Sequence, residues 1–120
     1  MAHDQLQQKC WMHLWNDYPL SRRCAWHTKN ESAPFPGESE KQYTIRRSQD
    51  KAKGLLPGVL DLTFYWKGVL HIFDIKVGKD KLSDAQIKFI EAIEAQGGKH
   101  YVIKEFSTFE IALKQIFNGA

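Results

Sequence analysis

An α/β domain, with a mixed β-sheet core flanked by helices, is what this 120-residue chain predicts, on three observations. Two β-forming apolar runs flank a Lys67-Gly68 turn within the stretch "VLDLTFYWKGVLHIFDIKVG", Val59 to Gly78. Apolar residues at helical spacing lie on both sides of that hairpin, at Leu6, Cys10, Trp11 and Leu14 and again at Ile87, Ile90 and Ile93. A further strand, His100 to Phe106, follows the second of these helices, and strands joined through a helix are expected to run parallel.

The elements follow in order. The first helix covers Gln5 to Trp15 and stops before Pro19, which cannot continue it. A short strand is expected around Arg23 to Trp26. Residues 30–39 contain two prolines and a glycine and read as a loop. Tyr43 to Lys53 is expected to be helical, with Gly54 at its C-terminal cap. After the hairpin, Ser83 and Gln86 form a capping box that opens a helix, and Gly97-Gly98 ends it. Ser107 and Glu110 are expected to make a second capping box, for a last helix that buries Ile111, Leu113 and Ile116. Neither repeats nor low-complexity segments interrupt this order.

Hydrophobic residues make up 42% of the chain and charged residues 26%, the balance of a soluble globular protein. At this length a single domain over residues 1–120 is expected, with one core. No apolar run approaches a membrane span, so no membrane association is expected. Cys10 and Cys24 match neither metal-finger nor redox spacing, and nothing ahead of them reads as a signal peptide. Reduced, packed thiols in a cytoplasmic protein are therefore expected. The net charge of +3 is too small to name a partner. Its distribution is more telling: Lys41, Arg46, Arg47, Lys51 and Lys53 fall in one stretch whose only acid is Asp50. Such a cluster suits a phosphate backbone, and a solvated helix face accounts for it equally well.

The hairpin poses a chemical question, because each of its apolar runs contains an aspartate. Asp is depleted in strands, and a buried unpaired carboxylate is costly. With Lys67 and Gly68 as a two-residue turn, Trp66 faces Val69 and the same register sets Asp61 against Asp74. Cross-strand partners have Cβ atoms roughly 4.5–5.5 Å apart, where like charges repel. A hard divalent cation such as Mg²⁺ or Mn²⁺ between them would turn repulsion into attraction. Lys76 follows Asp74 at the spacing that puts both on one face of the strand. Two carboxylates and an amine so placed could hold a metal and a water poised for attack. An ordinary surface salt bridge between Asp74 and Lys76 explains the same spacing without chemistry.

The ordered set "PGVLDL", hairpin, "FDIK" and "LSDAQIKFIEAIEAQGGKHYVI" resembles the PD-(D/E)xK nuclease superfamily, and within it the small stand-alone VRR-NUC proteins of phages and bacteria. Gly58 to Asp61 is similar to the family's Gly-x-x-Asp strand, Asp74-Ile75-Lys76 to its acid-x-Lys element, and Ser83 with Gln86 to its Ser-x-x-Gln helix start. "DQLQQKCWMHLWNDYP" and "WHTKNE" resemble its first helix and its His-x-x-Asn turn.

The resemblance implies a restriction-endonuclease-like architecture and metal-dependent hydrolysis of DNA. By that implication Asp61, Asp74 and the main-chain carbonyl of Ile75 bind Mg²⁺ or Mn²⁺, and Lys76 orients or deprotonates the attacking water. Gln86 contacts the phosphate or the water network, although its capping role explains it as well. His27 and Asn30 line the cleft or serve the turn structurally. Lys41, Arg46, Arg47, Lys51 and Lys53 grip phosphates. The implied substrate is DNA, duplex or branched, with Holliday junctions included, cut by a homodimer.

Two departures stand out. The family's first-helix glutamate is replaced by His3 or Asp4, either of which can ligate a metal. The proline that ordinarily precedes the strand aspartate is displaced to Pro57, with Leu60 in its place. A second reading belongs to another class, a catalytically silent nucleic-acid-binding or assembly module on the same scaffold. The four tryptophans, Trp11, Trp15, Trp26 and Trp66, are read as core or interface residues in preference to base-stacking platforms.

Overall fold

The computed structural model describes residues 2–27, 35–53 and 61–118, with the side chain of Lys51 left outside that description. Asn30, Gly54, Pro57 and Gly58 also lie outside the described residues. The elements run α1 (His3–Asp17), β1 (Ala25–His27), α2 (Glu40–Ala52), β2 (Leu62–Trp66), β3 (Val69–Ile75), α3 (Asp84–Ala95), β4 (Lys99–Ile103) and α4 (Phe106–Asn118). A short 3₁₀ turn, Pro19–Ser21, follows α1.

The four strands form one sheet in the order β1-β2-β3-β4. β1–β2 and β2–β3 are antiparallel and β3–β4 is parallel, the mixed sheet expected of a hairpin followed by a helical crossover. Lys67 and Gly68 have φ of 48° and 82°. Positive φ at both central residues is the signature of a type I′ turn, whose twist matches that of its flanking strands. The register is therefore tight, from Trp66 opposite Val69 to Leu62 opposite Phe73.

Alternation along the strands sorts side chains to two faces. On one face Leu62, Phe64, Phe73, Ile75 and Ile103 pack against Leu6, Cys10 and Leu14 of α1 and Phe109 and Leu113 of α4. Cys10 is buried within that layer, and burial pushes its thiol up to about 12, so it packs as an apolar side chain. On the other face Ile72 meets Ile90 of α3, with Leu70, Leu82, Phe89 and Ile93 around them.

Two elements depart from the sequence expectation. α2 starts three residues early because Ser39 and Gln42 cap it reciprocally: the Gln42 N–H donates to Ser39 Oγ at 3.1 Å and the Ser39 N–H donates to Gln42 Oε1 at 2.9 Å. α4 starts at Phe106, so Ser107 lies inside its first turn and the expected Ser107–Glu110 box does not form. The Phe106 ring packs against the apolar layer and stands edge-on to His13 at 5.2 Å between centroids, which draws the residue into the helix. The stripe buried by α4 is accordingly Phe109, Ala112 and Leu113. Ile111, expected inside, is exposed because it lies half a turn from that stripe. Among the described residues, no helix is long and apolar enough to cross a membrane.

The α3–β4 connection has little room at Gly98. A Cβ there would overlap Ile93 Cγ2 and come within 3.0 Å of the Ile93 carbonyl oxygen, to which the Gly98 N–H also donates. Gly98→Ala is expected to cost about 1–3 kcal/mol, read as a melting temperature several degrees below wild type.

Candidate functional site

The hairpin register continues one step past Leu62–Phe73 and brings Asp61 to the end of β3 at Asp74. Asp61 sits in a bend just ahead of β2, and its side chain takes over the ladder there: the Ile75 N–H donates to Asp61 Oδ2 at 2.8 Å. Two further contacts hold it. The His27 ring nitrogen Nδ1 lies 2.8 Å from the Asp61 carbonyl oxygen. Two acceptors would repel at that distance, so Nδ1 carries the hydrogen and donates. Gln7 Nε2 of α1 lies 3.0 Å from the same nitrogen, a proximity and not a second hydrogen bond once Nδ1 donates to Asp61. His3 Nε2 lies 3.4 Å from Asp61 Oδ2.

Asp74 has the opposite environment. It is 1% exposed, and neither carboxylate oxygen has a hydrogen-bond partner among the described residues. Burial is the main cause that pushes its pKa up to about 6; Lys76 pulls it down and Asp61 adds to the rise. Lys76 Nζ stands 3.6 Å from Asp74 Oδ2 and donates to Gln86 Oε1 at 3.1 Å. That same oxygen accepts the Ser83 N–H at 2.9 Å, while the Gln86 N–H donates to Ser83 Oγ at 3.1 Å. The capping box of α3 and the anchoring of Lys76 are thus one hydrogen-bonded unit. Gln86 fills the capping role and, with the second lone pair of the same oxygen, also holds Lys76.

The structure therefore brings Asp61, Asp74, Lys76 and Gln86 together, with the Ile75 backbone between them. Two facing carboxylates, one of them buried with both oxygens unsatisfied, make a donor set that hard divalent cations take. Among the described residues, no three or more His, Cys, Asp or Glu side chains cluster in a way that could hold a metal. Any ion held by the pair would thus rely also on main-chain oxygen and water. Of the two residues offered at the first-helix position, His3 reaches Asp61, whereas Asp4 is fully exposed and lies 3.5 Å from His3 Nδ1.

The basic residues are less uniform than their count suggests. Arg46 donates from Nε and Nη2 to the two carboxylate oxygens of Glu38, both at 3.0 Å, and lies over the Phe35 ring at 3.9 Å. The guanidinium holds the Glu38 carboxyl below its usual range. Glu38 precedes the basic stretch by three residues and so escaped the charge count. Arg47 lies over Tyr43 at 5.6 Å, and Lys41 and Lys53 are exposed. His27, expected to line a cleft or serve a turn, holds the Asp61 backbone. Gln7 went unpredicted, although its spacing of four from His3 places both on one face of α1.

The raised pKa sets a pH dependence for the metal-free protein. A carboxyl whose pKa rises on folding stabilises fully below its ordinary value and loses that contribution as pH climbs through about 6. Asp74→Asn is expected to raise the melting temperature of EDTA-treated protein by several degrees at pH 8, with the gap to wild type closing near pH 4. Differential scanning calorimetry across that range checks it.

No family model matches the chain, and no curated protein matches it. Among solved structures, one named VRR_NUC domain protein superposes with a TM-score of 0.72, covering 98% of this chain and 89% of that chain at 16% identity. The mixed sheet with its flanking helices is thus similar in fold to that VRR_NUC domain protein.

Proposed function

We propose that this protein is a metal-dependent DNA endonuclease that hydrolyses phosphodiester bonds, with Mg²⁺ or Mn²⁺ as its cation. The observation that carries the proposal is Asp74, a buried carboxylate with neither oxygen hydrogen-bonded among the described residues, set against Asp61 and beside an anchored Lys76. A fold gains nothing from that arrangement by itself, since an apolar residue would pack there without the cost of burying a charge. The neighbouring fold bears a nuclease-type domain name, which agrees with this reading.

Asp61, Asp74 and the Ile75 carbonyl would hold the cation. When bound, the cation would supply Lewis-acid polarisation and a more acidic water. The protein's own groups do the rest. The Ile75 N–H and His27 fix Asp61 from two directions, so its free carboxylate edge is preset. Lys76, steered by Gln86, orients the attacking water and offsets the negative charge that grows on the phosphate as the new P–O bond forms and the old one breaks. The proton lost by water passes to solvent, and the leaving oxygen takes a proton from solvent and departs as an alcohol.

Lys41, Arg47 and Lys53 would add sequence-independent phosphate contacts, and Lys51 belongs to the same stretch. Arg46, clasped by Glu38, would instead brace the start of α2. Branched DNA, such as a four-way junction, is the substrate class this reading favours, with two copies of the chain needed for paired cuts.

The test is incubation with supercoiled plasmid, four-way junctions, flaps and linear duplex in Mg²⁺, Mn²⁺ or EDTA. Wild type should cut in either metal and not in EDTA. Asp61→Asn, Asp74→Asn and Lys76→Met should each lower the rate by about 10²–10⁴ while retaining DNA binding. Intact DNA under every metal condition would eliminate the nuclease reading and leave the silent binding module.

A further inference from the structure

Strand register places two aromatic residues on the catalytic side of the sheet. Trp26 pairs with Thr63, and Thr63 pairs with Ile72, whose side chain faces α3. Trp26, Thr63 and Tyr65 therefore share the face that carries Asp74 and Lys76. α3 covers Leu70 and Ile72 on this face. Over β1 and β2, Thr63 is buried, whereas the two aromatic residues that flank it are half exposed, Trp26 at 47% and Tyr65 at 50%. Both are diagonal neighbours across β1 and β2, roughly 7–8 Å apart by strand geometry. Tyr65 is pinned there by its N–H, which donates to the Cys24 carbonyl at 2.8 Å. Asp61 precedes Thr63 by two residues, so Trp26 lies between the carboxylate site and Tyr65.

Trp26 was expected to be a core or interface residue, yet nothing described in the fold needs an indole here. The residue lies on the edge strand, outside both apolar clusters. A strand that presents a phosphate to Asp61 and Asp74 and continues toward β1 would lay its next nucleotide along this face. A duplex keeps its base faces stacked inside and cannot use an aromatic platform, whereas an unpaired nucleotide can stack on one.

We propose that Trp26, with Tyr65 beside it, is a nucleobase-stacking platform that receives an unpaired nucleotide next to the scissile phosphate. It is the element that selects branched or single-stranded DNA over continuous duplex. The inference rests on the nuclease reading for its substrate, but its test reads binding.

Fluorescence anisotropy, in EDTA and separately in Ca²⁺, would compare a flap carrying one labelled single-stranded arm with a fully paired duplex. Trp26→Leu is expected to weaken flap binding about five- to a hundred-fold, Tyr65→Leu to weaken it less, and Trp26→Phe to restore most of the loss. Duplex affinity should stay within about twofold, because it depends on phosphate contacts. Wild-type protein needs no variant for the converse arm: making the first unpaired nucleotide abasic should cost the same factor as Trp26→Leu. Equal losses for flap and duplex, or no loss for the abasic flap, would overturn the platform. Selective flap binding without cutting in Mg²⁺ or Mn²⁺ would instead refute the nuclease reading and leave the platform standing.

Discussion

The opposition of Asp61 and Asp74 across β2 and β3 is the constraint on which the rest of this structure depends. It exists because a two-residue turn with positive φ at Lys67 and Gly68 allows one register and forbids the next. A slip of one residue would turn Asp74 and Lys76 into the face occupied by α1 and α4, where Phe73 and Ile75 now pack. Register and chemistry are therefore secured together: the apolar residues that require one face oblige the aspartates to take the other.

Each charged group is held by a different element, and that division gives the site its rigidity. Asp61 is bonded by β3 through the Ile75 N–H, by β1 through His27 and by α1 through His3, with Gln7 behind His27. Lys76 is bonded by the first turn of α3 through Gln86. Among the described residues, Asp74 is the member of the group left without a hydrogen bond, in its most buried position. Its raised pKa is a stability penalty in the metal-free protein. A penalty of this kind is retained where the group has work that an apolar substitute could not do.

The surface around the site divides into a cationic part and an aromatic part. On α2, charge is partly internal, because Glu38 and Phe35 enclose Arg46. On β1 and β2, the face shared with Asp74 presents the half-exposed aromatic rings of Trp26 and Tyr65. Clustered cations are the chemistry that suits a phosphate chain, and exposed aromatic rings the chemistry that suits unstacked bases.

Local sequence carried the elements and most of the chemistry, because the signals involved act over a few residues. The Lys67-Gly68 turn, the Ser83–Gln86 cap, the stripe at Leu6, Cys10 and Leu14, and the Asp74–Lys76 alternation all depend on neighbours in the chain. Even the facing aspartates follow from counting outward from the turn. Only the tertiary structure could decide what happens between segments far apart. That Glu38 claims Arg46, that His27 donates to the Asp61 backbone, and that Phe106 rather than Ser107 opens α4 all depend on which surfaces meet after folding. The same holds for Trp26, whose residue type is common in cores; its half-exposed place on the edge strand β1 belongs to the folded sheet. Short-range geometry is written in spacing, whereas burial and pairing across the fold are properties of the packed chain.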